Sequence, residues 1–246
     1  VTGAPPDPPA IETRSVTKRF GAVAALQSVD LRVETGESLA LFGPNGAGKT
    51  TLIRILTLGL KPASGAFRVA GRDPGSDPLG IRQRIGLISH QSLLYDQLTA
   101  AENLEFFARL YGVEAPRRRS AELLDTIGLG HRADDPVGTL SRGMQQRVSI
   151  VRALVHDPPV VFLDEPFAGL DPLASGMLRE TLERLRSRAR TVLLVTHDLR
   201  RGLELSDRWV LLSRGRIVEG GSSGATDPAT FERDYFGRLG GEGARA

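Results

Sequence analysis

Three groups of residues in this 246-residue chain have types and spacings suited to phosphate chemistry. The first is Gly43-Pro-Asn45-Gly46-Ala-Gly48-Lys49-Thr50, which follows the apolar run Ser38–Phe42 and precedes Leu52, Ile55 and Leu56 at helical spacing. Strand, glycine-rich loop and helix in that order are the context a phosphate-binding loop requires. Glycines let the backbone curl until several N–H groups, including those around Asn45 and Gly46, face one anion. The helix start adds partial positive charge. Lys49 is placed to reach the β- and γ-phosphates, the Thr50 hydroxyl to hold Mg²⁺, and Thr51 to meet the α-phosphate. The alternative is a glycine-rich turn with an incidental lysine. The second group is Asp164-Glu165, closing the apolar run Val160–Leu163. Carboxylates at the carboxyl end of a buried strand lie where open α/β sheets bind ligands. Asp164 is read as the Mg²⁺ partner and Glu165 as the group that orients or deprotonates an attacking water. By itself such a pair would equally fit a surface turn. The third group is Leu140-Ser141-Arg142-Gly143-Met144-Gln145-Gln146-Arg147. Here Ser141 can cap a following helix and offer its hydroxyl to a phosphate.

The elements that must hold these groups are legible from periodicity. Val29, Leu31 and Val33 alternate with polar residues, the pattern of a half-buried strand, within a strand-like stretch that begins at Ile11. Val160–Leu163 and Thr191–Val195 are continuous apolar runs, as parallel strands covered on both faces require. Residues 99–155 read mostly as helix, with Ala100, Leu104, Phe107 and Leu110 on one face. Leu178, Leu182 and Leu185 stripe another helix. Between Gly59 and Gly80 only a short strand near Phe67 to Val69 is expected, and a hairpin closes around Arg214-Gly215. The reading is α/β: a parallel core sheet, an N-terminal antiparallel β portion and a helical insertion at roughly 92–156. Residues 1–10 read as a flexible tail, 11–221 as the folded domain, and 222–246 as a short, weakly helical C-terminal tail.

Composition removes other classes. The chain has no cysteine, so thiolate chemistry and disulfides are excluded. No apolar run reaches the ~18 residues of a spanning helix, and no signal-peptide pattern is expected at the N-terminus. Net charge is only +3, and the only lysines are Lys18, Lys49 and Lys61. No basic stripe suggests a nucleic-acid partner.

Taken together, these residues resemble the nucleotide-binding subunit of ABC transporters over about Ile11 to Gly221. Leu140–Arg147 is similar to the family's Leu-Ser-Gly-Gly-Gln signature, with Ser141 and Gly143 matching and Arg142 and Met144 departing. The resemblance implies a P-loop NTPase fold that binds ATP with Mg²⁺. It implies that Ser141 and Gly143 meet the ATP of another protomer, in a homodimer or beside a second ATPase subunit. It assigns Phe20 to adenine stacking, where an ordinary core aromatic is the alternative. It assigns Gln91 to Mg²⁺ and water, Asp171 to the loop crossing the dimer interface, and His197 to the γ-phosphate. It implies a separate transmembrane permease subunit that places this chain at the cytoplasmic face of the membrane. Transport, in the export direction, would then follow from ATP hydrolysis. The stretch around Met144 and Phe167 further resembles ATPases of haem-exporter-type systems of cytochrome c maturation, and those serving drug, polysaccharide or lipid exporters. The other class weighed is a soluble ABC ATPase of the DNA-maintenance or translation type. Against it, the interval from Lys49 to Ser141 carries no sustained heptads, and only one cassette is present.

Overall fold

Apolar runs that alternate with helical stripes cannot bury both faces unless helices or a second sheet cover them. A computed structural model of the chain, which describes residues 8–89 and 91–243, shows that solution. The N-terminal alternating segments are strands β1 (Ile11–Phe20) and β2 (Val23–Val33), paired antiparallel. After β3 (Ser38–Phe42) come the glycine-rich loop and helix α1 (Lys49–Leu56), then strand β4 (Ser64–Val69), which joins the other edge of β1. Helix α2 (Pro78–Arg82) and strand β5 (Ile85–Ser89) follow. Three helices, α3 (Ala100–Leu110), α4 (Pro116–Thr126) and α5 (Arg142–Ala153), form the insertion. The rest alternates as β6 (Val160–Asp164), α6 (Pro172–Ser187), β7 (Thr191–Val195) and α7 (Leu199–Glu204). The chain closes with the hairpin of β8 (Arg208–Ser213) and β9 (Arg216–Ser222), then α8 (Pro228–Gly243).

The main sheet has the order β5-β6-β7-β3-β8-β9, parallel except for the β8–β9 hairpin. Every residue of β3, β6 and β7 is buried, which accounts for their apolar sequences, broken only by a polar residue at one end of each. Leu39, Leu41, Phe162 and Val195 face α1 and the small antiparallel sheet in one core cluster. Val161, Leu163, Val192 and Leu194 face Leu178, Leu182 and Leu185 of α6 in another. The insertion has its own core, in which Leu104, Leu124, Val148 and Val151 meet.

Some elements differ from expectation. The strand read near Phe67 begins at Ser64, and α2 was not foreseen, although Asp77 caps it ahead of Pro78. The last residues of the expected N-terminal tail are packed: Ala10 is buried and its carbonyl accepts from the Ala70 N–H, while residues 1–7 lie outside the described region. The segment after Gly221 is more than a tail. In α8, Phe231 and Tyr235 are buried with Phe42, Leu199, Leu203 and Trp209. The Phe231 ring lies tilted against Trp209 with centroids 4.4 Å apart, and Phe231 and Tyr235, one turn apart on α8, fix the helix to the sheet.

Candidate functional site: a phosphate cradle at the sheet's carboxyl edge

The cradle follows β3, where the chain must turn sharply into α1. Gly43 and Gly48 hold φ of 152° and 108°. A Cβ at Gly43 would collide with the Leu212 carbonyl, and one at Gly48 with the Ala25 carbonyl, so both the turn and its close packing need glycine. Helix α1 has no side-chain cap, whereas Ser141, Asp171 and Asp198 cap α5, α6 and α7. Its first N–H groups are therefore open to an external anion. Residues 45–51 line a cavity of about 230 Å³ together with Ala25, Asp164 and Glu165.

Within it, the Lys49 ammonium donates to the carbonyls of Gly43 at 2.6 Å and Pro44 at 3.0 Å. Burial lowers its pKa, and the charges of Glu165 and Asp164 oppose that shift. The Thr50 hydroxyl donates to Asp164 Oδ1 at 3.4 Å. The parallel pairing of β6 and β7 sets Asp164 beside Val195, so Glu165 and His197 emerge next to each other. His197 Nδ1 lies 2.8 Å from Glu165 Oε2. Because a carboxylate only accepts, Nδ1 carries the ring proton there. Gln91 lines a larger groove of about 760 Å³ that also reaches Thr50 and Asp164. Its segment is tied to α5, since the Gln146 amide donates to the Ser89 carbonyl and the Ser149 hydroxyl to the Ser92 carbonyl, at 2.7 Å for the latter.

Two expected site elements stand elsewhere. Phe20, at the tip of the β1–β2 hairpin, is 50% exposed beneath the Lys18 ammonium, which removes the core-aromatic alternative. Ser141 and Gly143 lie at the start of α5, and neither lines the cradle's cavity. Gly143 meets the loop ending at Asp171 instead. A Cβ on Gly143 would strike the Asp171 carboxylate, and the Arg142 guanidinium approaches Gly169. Asp171 caps α6 through the Ala174 N–H at 2.7 Å.

Residues 26–168 match the family model described as ABC transporter. The chain belongs to the ABC transporter family, as an ATP-binding subunit. It is 37% identical to the ABC transporter ATP-binding protein NatA of Bacillus subtilis (strain 168) over 81% of this chain and 82% of that one. It is 40% identical to Nod factor export ATP-binding protein I of Burkholderia orbicola (strain AU 1054), over 85% and 70%. It is 38% identical to the daunorubicin/doxorubicin resistance ATP-binding protein DrrA of Streptomyces peucetius, over 87% and 66%. Among solved structures, an ATP-binding subunit of an ABC transporter superposes with a TM-score of 0.81 at 33% identity, covering 87% of this chain and 90% of that one. A dimeric post-hydrolysis ATP-binding cassette bound to ADP and Pi gives 0.78 at 30%, covering 87% and 98%.

The ABC fold explains why the cradle is chemically suited to ATP. A buried lysine, an uncapped helix start and left-handed glycines converge on one small cavity. Among the described residues no cluster of three or more His, Asp or Glu could hold a metal on its own. Among the described residues no helix is long and apolar enough to cross a membrane. Sequence reasoning missed Gln146, Ser149 and Arg152 as anchors of the Gln91 segment. Their only signal was polarity on a helix otherwise striped with Val148 and Val151.

Proposed function

We propose that this chain hydrolyses ATP to drive small-molecule export through a separate membrane permease, working as one of a pair of ABC subunits. The observation that carries the reading is the Glu165–His197 hydrogen bond, set beside the Lys49 cradle and the Thr50–Asp164 pair. Lys49 and the backbone of residues 43–51 would bind the triphosphate, and exposed Phe20 would stack on the base. Thr50 and Asp164, with Gln91, would hold Mg²⁺, which supplies charge neutralisation for the phosphates. Glu165 would orient the attacking water and accept its proton, while His197 holds the Glu165 carboxylate in place and reaches toward the γ-phosphate.

The separation of Ser141 and Gly143 from the cradle supports pairing. A signature that cannot serve its own ATP can serve the ATP of a second copy, and a two-fold arrangement then forms two equivalent sites. For the permease, exposed Leu93, Tyr95, Phe106 and Leu110 lie along the insertion beside the Gln91 groove. Docking there would place the chain at the cytoplasmic face of the membrane. Export is supported by the names of relatives that serve Nod factor export and doxorubicin resistance. Those names lend nothing to haem export, which is left out of this reading. The soluble alternative is not favoured, because the insertion is three short helices and not a long coiled coil.

The deciding experiment is Mg²⁺-dependent ATP hydrolysis by the full chain and its Glu165→Gln variant, with identification of the membrane protein that co-purifies. Hydrolysis lost in the variant with ATP binding retained, and a permease in the purified complex, is the expected result. Wild-type hydrolysis by the variant would overturn the site reading.

A further inference from the structure

The water-activating pair sits on two short segments. One is the turn at 165–170 that leaves β6, and the other is the start of α7. Three hydrogen bonds hold Glu165 near the sheet. Its N–H donates to the Val195 carbonyl at 2.9 Å, and its Oε2 accepts from the His197 ring and the His197 backbone N–H. All three act at Glu165, so none fixes how the rest of the turn swings about that residue. Glu165 itself has φ 50°, a left-handed conformation that a side-chain-bearing residue keeps only when its surroundings hold it.

A further tie acts farther out. The Arg201 guanidinium lies over the Phe167 ring, 4.5 Å from its centroid. Asp198 aims it there. One Asp198 oxygen caps α7 by accepting the Arg201 N–H at 3.0 Å, and the other lies 3.6 Å from Arg201 Nε. Phe167 also packs against the buried cluster that includes Leu163 and Leu178, and its carbonyl accepts from the Leu170 N–H. The ring is thus held between the core and a cation. The adjacent Arg200 points to a different task, pairing with Glu232 of α8.

We propose that Arg201 and Phe167 are positioning residues, whose cation–π contact locks the turn bearing Glu165 against the helix start bearing His197. This rests on the reading of Glu165 and His197 as the hydrolytic pair. The contact joins segments that α6 and β7 separate in the chain, so it resists relative motion of the two loops and not local unfolding of either. A small misplacement of a catalytic group lowers turnover without weakening substrate binding made elsewhere. Neither residue lines the cradle cavity, so the lock should leave ATP affinity unchanged.

The test uses the full chain with Arg201→Met, which keeps the stem and removes the charge, Phe167→Leu, which keeps apolar bulk and removes the ring face, the double variant, and Arg201→Lys. Expected is a fall in kcat of about three- to tenfold in either single variant, with KM for ATP within about twofold of wild type. The double variant should fall no further than the worse single, and Arg201→Lys should recover most of the rate. A second readout needs no turnover. In ¹⁵N-histidine NMR, with His197 assigned through His197→Ala, the Nδ1–H tautomer should dominate in wild type and lose that bias in Arg201→Met. Multiplying losses in the double variant, a change in KM with kcat intact, or an unaltered His197 tautomer would each overturn the lock. Hydrolysis surviving in Glu165→Gln would instead remove the hydrolytic reading, and the NMR result would still decide whether Arg201 holds the two loops together.

Discussion

One oxygen of Glu165 takes two donors from a single residue: Oε2 accepts from the His197 ring Nδ1 at 2.8 Å and from the His197 backbone N–H at 3.3 Å. Glu165 Oε1 has no partner among the described residues and is the oxygen available to a water. Glu165→Gln should therefore lower hydrolysis by roughly 10²- to 10⁴-fold, since an amide cannot accept the water's proton. ATP binding should persist, and the trapped nucleotide should favour a dimer. Light scattering with Mg²⁺-ATP that shows only monomer for this variant, at high micromolar protein, would count against the paired arrangement.

His197→Ala should spare ATP affinity and reduce kcat by about tenfold or more, because it releases the Glu165 carboxylate without touching the cradle. Lys49→Ala should act in the opposite way. It removes the ammonium that faces the phosphates, and ATP affinity should drop by at least about tenfold. Nucleotide titration and initial-rate kinetics on both variants separate the two effects.

Arg142 is compatible with a working signature. It is exposed, and its guanidinium rests near Gly169, away from the Ser141 hydroxyl that caps α5 through the Met144 N–H at 3.3 Å. Arg142→Gly should leave ATPase activity within about threefold of wild type. Ser141→Arg should lower it strongly, since it deletes the cap, at about 1 kcal/mol, and fills the helix start with bulk. Restoration of activity by Arg142→Gly in a wild type that is inactive with its permease would instead mark a degenerate site completed by a second, different subunit.

Acid should weaken the fold through His156. Its ring stacks on Tyr111 at 3.8 Å, and burial pushes its pKa down from 6.5 to about 4 despite a bond to the Ile85 carbonyl. Between those values the unfolded chain binds a proton that the folded chain refuses. The stabilisation is complete above 6.5 and is lost as pH falls toward about 4. Denaturant melts at about pH 7.5 and about pH 4.5 should differ by roughly 2 kcal/mol less in His156→Phe than in wild type.

The cradle was legible because its glycines and lysine fall within the short stretch Gly43 to Lys49, directly after an apolar strand. Strands β3, β6 and β7 were legible for a similar reason: burial on both faces confines polar residues (Ser38, Asp164 and Thr191) to the strand ends, leaving the run between them apolar. Helix α2 was hidden by its brevity, and the docking of the weakly helical C-terminal segment by glycines between few apolar residues, where two aromatics carry the packing. The Phe167–Arg201 contact and the approach of Arg142 to Gly169 could not be read at all. Each joins residues that only the parallel sheet brings together, and neither leaves a periodic trace.

Asn103, on α3, is fully buried, and its amide accepts the Tyr95 N–H at 2.8 Å and donates to the Tyr95 and Thr99 carbonyls at 3.0 Å each. The loop that displays Tyr95 is therefore clamped to its helix at both ends. Both Tyr95 and Thr99 are thereby tied to one side chain of α3. If a permease docks as proposed, a push there would pass into α3, and the segment would act as a stiff lever arm rather than a spring.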